Sequence, residues 1–168
     1  MRAGLQIKGC GVHLVCGAFA YGSSRTQKVV SLSSCESELH AMVNTLCDGI
    51  FLRSCLEFLT GATIEHYLFT DSSSAKQPAI RQGVGKVKHV AGKLLWIQDA
   101  VLNKQVMLIQ VPTMWNLSDI GTKPLGAKRL RLLLHEIGVS THEGKIHCGP
   151  GRVRTAIFKA WRWKVERR

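Results

Sequence analysis

Apolar residues fall first into short runs and then into a helical repeat. Leu5 to Ile7, Val12 to Val15 and Val29 to Leu32 are β-prone pieces parted by glycine and serine, the texture of an antiparallel meander. Ser33-Ser34-Cys35-Glu36 then matches a capping box, in which a serine hydroxyl accepts from the backbone N–H three residues on and the glutamate reaches back. Leu39, Met42, Val43, Leu46 and Ile50 follow at helical spacing. Leu52, Cys55, Leu56 and Leu59 continue the stripe with some drift, and Gly61 suits the residue after the last turn.

The second half alternates strand and helix. Tyr67 to Thr70 is a compact apolar run that ends at Asp71, and Ser72, Ser73 or Ser74 can cap a short helix before Gly83. After the Gly83-Val84-Gly85-Lys86 break, Val90, Leu94, Ile97, Val101 and Leu102 mark another helix. Val106 to Val111 read as a strand closed by Pro112. Asn116 or Ser118 can cap the next turn, which puts Asp119 at a helix start. Leu130, Leu133, Leu134 and Ile137 form the stripe of a last helix ending at Gly138. Strand, helix, strand in this order implies crossover connections and an α/β fold with a mixed sheet.

Beyond Ser140 the texture changes to glycines and then a basic, aromatic run from Arg152 to Arg168. One domain followed by a flexible tail over 140–168 is the expected organisation, since 168 residues that are 45% hydrophobic can bury one core. The six cysteines are too scattered for a disulfide scaffold and read as reduced thiols. Glycines and His13 interrupt the first apolar run, so it does not read as a secretion signal, and no stretch is apolar and long enough for a membrane span. An intracellular protein without a membrane partner is the expectation.

Charge changes the picture. The formal net charge is +12, and a chain this basic suits a polyanionic partner, because neutralising phosphates releases counterions. Against that background no Asp or Glu occurs before Glu36, and Glu38, Asp71 and Asp119 each sit at an element boundary or helix flank. Carboxylates held there could gather divalent cations, the requirement of metal-assisted phosphodiester hydrolysis. A helix cap at Asp119, a solvent-facing Glu38 and a turn-forming Asp71 account for the same three residues without chemistry.

Four segments carry a resemblance. Ser24 to Ala41, with its serine turn and Glu36-Ser37-Glu38, resembles the ribonuclease H region at the end of copia-type retrotransposon polyproteins. Thr70-Asp71-Ser72-Ser73-Ser74-Ala75 is similar to its second acidic motif, and Lys86-Val87-Lys88-His89-Val90 to its basic segment. Trp115-Asn116-Leu117-Ser118-Asp119-Ile120-Gly121-Thr122-Lys123-Pro124-Leu125 is similar to its closing motif. The motifs run in order through 4–139.

The resemblance implies a ribonuclease H-like mixed sheet flanked by helices, and hydrolysis of the RNA strand of RNA–DNA hybrids with two Mg²⁺ or Mn²⁺ ions. Glu38, Asp71 and Asp119 take the catalytic, metal-ligating positions. Lys86, Lys88, His89 and Lys123 are the nucleic-acid contacts, and the reverse transcriptase region of a parent polyprotein is an implied partner. One departure matters: the family's first strand carries a further Asp, and the sequence starts too late to contain it. The expectation is therefore a domain that lacks the first strand and hydrolyses poorly, or an inactive remnant that still binds nucleic acid.

Overall fold

A computed structural model describes residues 8–27, 31, 33–83, 91–142 and 145–148. The fold class is α/β, as the alternation of elements implies. Strands β1 (Lys8–Val15) and β2 (Ala18–Thr26) form an antiparallel hairpin whose two-residue turn, Cys16-Gly17, has positive φ at both positions (51° and 82°). That geometry matches the right-handed twist of the paired strands. A register irregularity falls between His13 and Leu14.

Helix α1 (Ser34–Thr60) begins and ends where its caps dictate. The Ser33 hydroxyl accepts from the Glu36 N–H at 3.2 Å, and Gly61, at φ 65°, donates its N–H to the Glu57 carbonyl. The first four turns bury Leu39, Met42, Val43, Leu46 and Gly49. The later turns leave Phe51, Phe58 and Leu59 exposed, so the drift in the apolar stripe corresponds to a helix that outruns its core.

Strand β3 (Tyr67–Thr70) leads through α2 (Ser73–Ile80) and α3 (Ala91–Leu102) to β4 (Met107–Gln110), which pairs parallel with β3 in the register Tyr67↔Met107 to Thr70↔Gln110. Ser72 caps α2 by accepting from the Ala75 N–H. Pro78 lies inside α2 and cannot donate to the Ser74 carbonyl; the Cys35 thiol donates to that oxygen instead. A 3-10 turn (Thr113–Trp115), the single helical turn α4 (Asp119–Thr122) and helix α5 (Ala127–Glu136) follow. A second antiparallel hairpin, β5 (Val139–His142) with β6 (Lys145–Cys148), closes the described chain.

Two apolar clusters hold these elements. Leu39, Leu46, Leu68, Leu94, Ile97 and Val106 pack where α1, α3 and the β3–β4 pair meet. Leu117, Leu133 and Ile137 pack beneath Val12 and Leu14 of β1. The described strands form three separate two-stranded ladders, not one continuous sheet. Three further differences stand out. Strand β2 is almost wholly exposed, and its apolar start, Ala18 to Tyr21, gives way to Gly22, Ser23 and Ser24, so no apolar alternation announces it. Of the β-prone run Val29 to Leu32, only Ser31 is described, and it is outside any strand. Strands β5 and β6 begin at Val139 and run into the segment read as a tail over 140–168, of which 143–144 and 149–168 lie outside the described residues.

Candidate carboxylate site

The three acids predicted to act together come from three different elements. Glu38 is on the second turn of α1, Asp71 directly follows β3, and Asp119 is the first residue of α4. Each position is fixed by its element: the Ser33 cap starts α1, β3 pairs with β4 up to Thr70, and α4 is seated on the first hairpin. The Ser24 hydroxyl of β2 donates to the Gly121 carbonyl at 2.7 Å. A Cβ at Gly121 would fall 2.5 Å from Cys10 Sγ, so only glycine lets α4 lie this close to β1.

The charges of the three carboxylates meet. The Glu38 carboxyl is pushed up from its ordinary value, first by loss of water around it and then by the Asp71 charge; Lys123 opposes the rise and Asp119 adds to it. Although Glu38 has substantial exposed surface, the atoms packed around its carboxyl impose this desolvation. Asp119 is 3% exposed and both its oxygens are taken. Lys123 Nζ lies 2.8 Å from Oδ1, and Arg129 lies 2.7 Å from Oδ2 while also donating to the Thr113 carbonyl. The Lys123 ammonium is raised by its hydrogen bond to Asp119 and by the Asp119, Asp71 and Glu38 charges, against some desolvation. Asp71 accepts from the Asn116 side-chain amide at 2.8 Å, and the oxygen of that amide accepts from the Ser118 N–H.

A pair of divalent ions needs several hard oxygens free to face them. Here Asp119 has spent both oxygens on side-chain cations, and among the described residues no three His, Cys, Asp or Glu side chains stand close enough to hold a metal. The arrangement as it stands does not fit the metal pair. A protonated amine, Lys123, supplies positive charge to all three acids.

Other acids are engaged elsewhere. Asp48 faces Arg25 of β2 at 3.4 Å. Glu36 is buried, and its Oε1 lies 3.6 Å from His40 Nε2. His40 Nδ1 is 2.7 Å from Lys93 Nζ, and since an ammonium only donates, that nitrogen accepts and Nε2 carries the proton facing Glu36.

Lys123, expected on phosphate, is an internal counterion that keeps 56% of its side chain exposed. Lys86, Lys88 and His89 lie outside the described residues. Sequence reasoning missed the roles of Arg129 and Asn116. The Asp119–Lys123 spacing of four was a readable signal for an ion pair on one helical face, whereas Arg129 reaches Asp119 from another helix and carried none.

Comparison with known proteins is consistent with a mobile-element ancestry. The chain is 26% identical over 127 residues to the retrovirus-related Pol polyprotein from transposon TNT 1-94 of Nicotiana tabacum; the match covers 75% of this chain and 10% of that polyprotein. The chain is thus related to a retrotransposon polyprotein and spans about a tenth of the relative's length. No family model matches it, and no solved structure does.

Proposed function

We propose that the chain is the ribonuclease H-like part of a copia-type retrotransposon polyprotein, descended from a two-metal nuclease that cuts the RNA strand of RNA–DNA hybrids. The observation that carries this reading is the shared electrostatic neighbourhood of Glu38, Asp71 and Asp119, three acids far apart in sequence and set in the motifs that carry the resemblance. The relation to a Pol polyprotein supports it, and the reverse transcriptase region of such a polyprotein is the partner it implies. Mg²⁺ or Mn²⁺ is the cofactor of the intact activity. Hydrolysis is impaired in this chain, because Lys123 and Arg129 hold the oxygens that Asp119 would offer to a metal.

A second reading, a binding module without chemistry, is favoured by the same two ion pairs together with the net charge of +12. One assay addresses both. The full chain, incubated with an RNA–DNA hybrid and Mg²⁺ or Mn²⁺, should cleave slowly or not at all while still binding the hybrid. Rapid cleavage that Asp71→Asn abolishes would overturn the impairment. Binding should weaken steeply as salt rises, and a flat salt response would remove phosphate contact from either reading.

A further inference from the structure

Where α1 outruns its core, its exposed residues fall on one line. Between positions 44 and 58 they are Asn44, Cys47, Phe51, Ser54 and Phe58, spaced alternately three and four apart. That spacing repeats every 3.5 residues or about that, the period of a seam along which one helix packs on another. Leu59 widens the line near its end. Phe51 is 73% and Phe58 88% exposed, although a helix face kept in water ordinarily carries charge.

No charged side chain belongs to this line. Asp48, Arg53 and Glu57, the charged residues of this half of the helix, are all engaged within the chain. Asp48 faces Arg25 and the Ser23 hydroxyl, each at 3.4 Å. Arg53 donates to the Gln105 carbonyl at 2.7 Å, and Glu57 accepts from the Ile64 N–H at 3.0 Å. The Ser54 hydroxyl is also spent, donating to the Ile50 carbonyl at 2.9 Å, so covering it strands no hydrogen bond.

These local features select an occupant. A polyanion finds no free cation along the seam to neutralise. The basic run 152–168, with seven Lys or Arg against one Glu, finds no carboxylate on this half of α1 that is not already bound. A second copy of the seam meets both constraints, because it brings no charge of its own and sets no cation of one basic chain against a cation of the other. The order of sizes is self-complementary as well. Large Phe51, small Ser54 and Cys55, and large Phe58 read alike in both directions along the helix. Under a two-fold axis between Ser54 and Cys55, antiparallel helices close at the small residues, and each Phe51 meets the partner's Phe58. At about 150 Å² for each phenyl group, the two supply over a third of the roughly 800 Å² per partner that a stable dimer buries, before Leu59 is added. We propose that this seam is the interface of a homodimer, in which two copies of α1 cross antiparallel at Ser54 with Phe51 of one against Phe58 of the other. The proposal does not rest on the nuclease ancestry, and its test reads no activity.

Sedimentation equilibrium of the full chain, freed of nucleic acid and kept reduced, should show a monomer to dimer equilibrium. Phe51→Lys and Phe58→Glu change side chains that are mostly in water, so both variants should keep the parent circular dichroism. Each alone should weaken association at least about tenfold. Their equimolar mixture should associate more tightly than either variant, because the new ammonium and carboxylate oppose each other at one end while two native phenylalanines meet at the other. Alkylation of Cys47, read on its own peptide, should slow as protein concentration rises. Four results would each overturn the proposal: a parent chain that is monomeric at every concentration, single variants that associate like the parent, a mixture no tighter than its components, or a Cys47 reactivity that ignores concentration. Cys47 that is protected equally at all concentrations, relative to the unfolded chain, would give the seam to residues of the same chain.

Discussion

Lys123 Nζ sits 2.8 Å from Asp119 Oδ1, one helical turn along, and its charge is felt by Asp71 and Glu38 as well. One flexible side chain thus balances three carboxylates. Lys123→Gln should raise the Glu38 titration further, because the charge that lowers it is gone while Asp71 and Asp119 remain. Carboxyl NMR titration reads the effect; a Glu38 titration that stays put would contradict the counterion role.

The two cations on Asp119 should differ in what they contribute to stability. Arg129→Met leaves a nearly buried carboxylate with one partner and removes the bond to the Thr113 carbonyl. A cost of about 2 kcal/mol is expected, below the ~3–5 kcal/mol of a fully buried pair because Lys123 remains. Lys123→Met, with 56% of the lysine side chain in water, should cost under about 1 kcal/mol. Urea unfolding of both variants checks the order, and the reverse order would mean that Arg129 is replaceable.

Gly121 supplies a steric prediction. Its missing side chain admits Cys10 Sγ and Ser24 Cβ, at 2.5 and 3.2 Å from where a Cβ would stand. Gly121→Ala should destabilise by about 1–3 kcal/mol through overpacking. Adding Cys10→Ala removes the nearest atom and should recover a measurable part of that loss. Purely additive costs in the double variant would show that the two residues do not collide.

Stability should fall on mild acidification. Burial lowers the His66 titration to about 4, with Arg53 and His13 assisting, and burial also lowers His13. In each case the unfolded chain takes a proton near pH 6.5 while the folded chain resists. The contribution is therefore whole above 6.5 and is lost as pH falls through the folded value. Urea midpoints should drop between pH 6.5 and 4, and His66→Phe should flatten that slope.

Much of this architecture was legible because its signals are local. Ser33, Gly61 and the stripe from Leu39 to Leu46 define α1 without reference to any other element, and the run Tyr67 to Thr70 places Asp71 at a strand end. What stayed hidden depends on partners far away in the chain. Asn116 reaches Asp71 across 45 positions. Strand β2 owes its conformation to pairing with β1, not to its own residue pattern. The division into three ladders is likewise a property of which edges meet, and periodicity within a strand does not encode its neighbour. The three acids were found as residue types at element boundaries; that two side-chain cations occupy Asp119 is geometry.

The Asn116 amide, which gives its nitrogen to Asp71 and its oxygen to Ser118, also makes the site a recorder of chemical age. Hydrolysis of that amide, which takes up water and releases ammonia, would put an anionic oxygen in place of the donating nitrogen facing Asp71 and turn an attractive contact repulsive. Protein hydrolysed at Asn116 should therefore elute as a more acidic species on ion exchange, and Asn116→Asp should match it in charge.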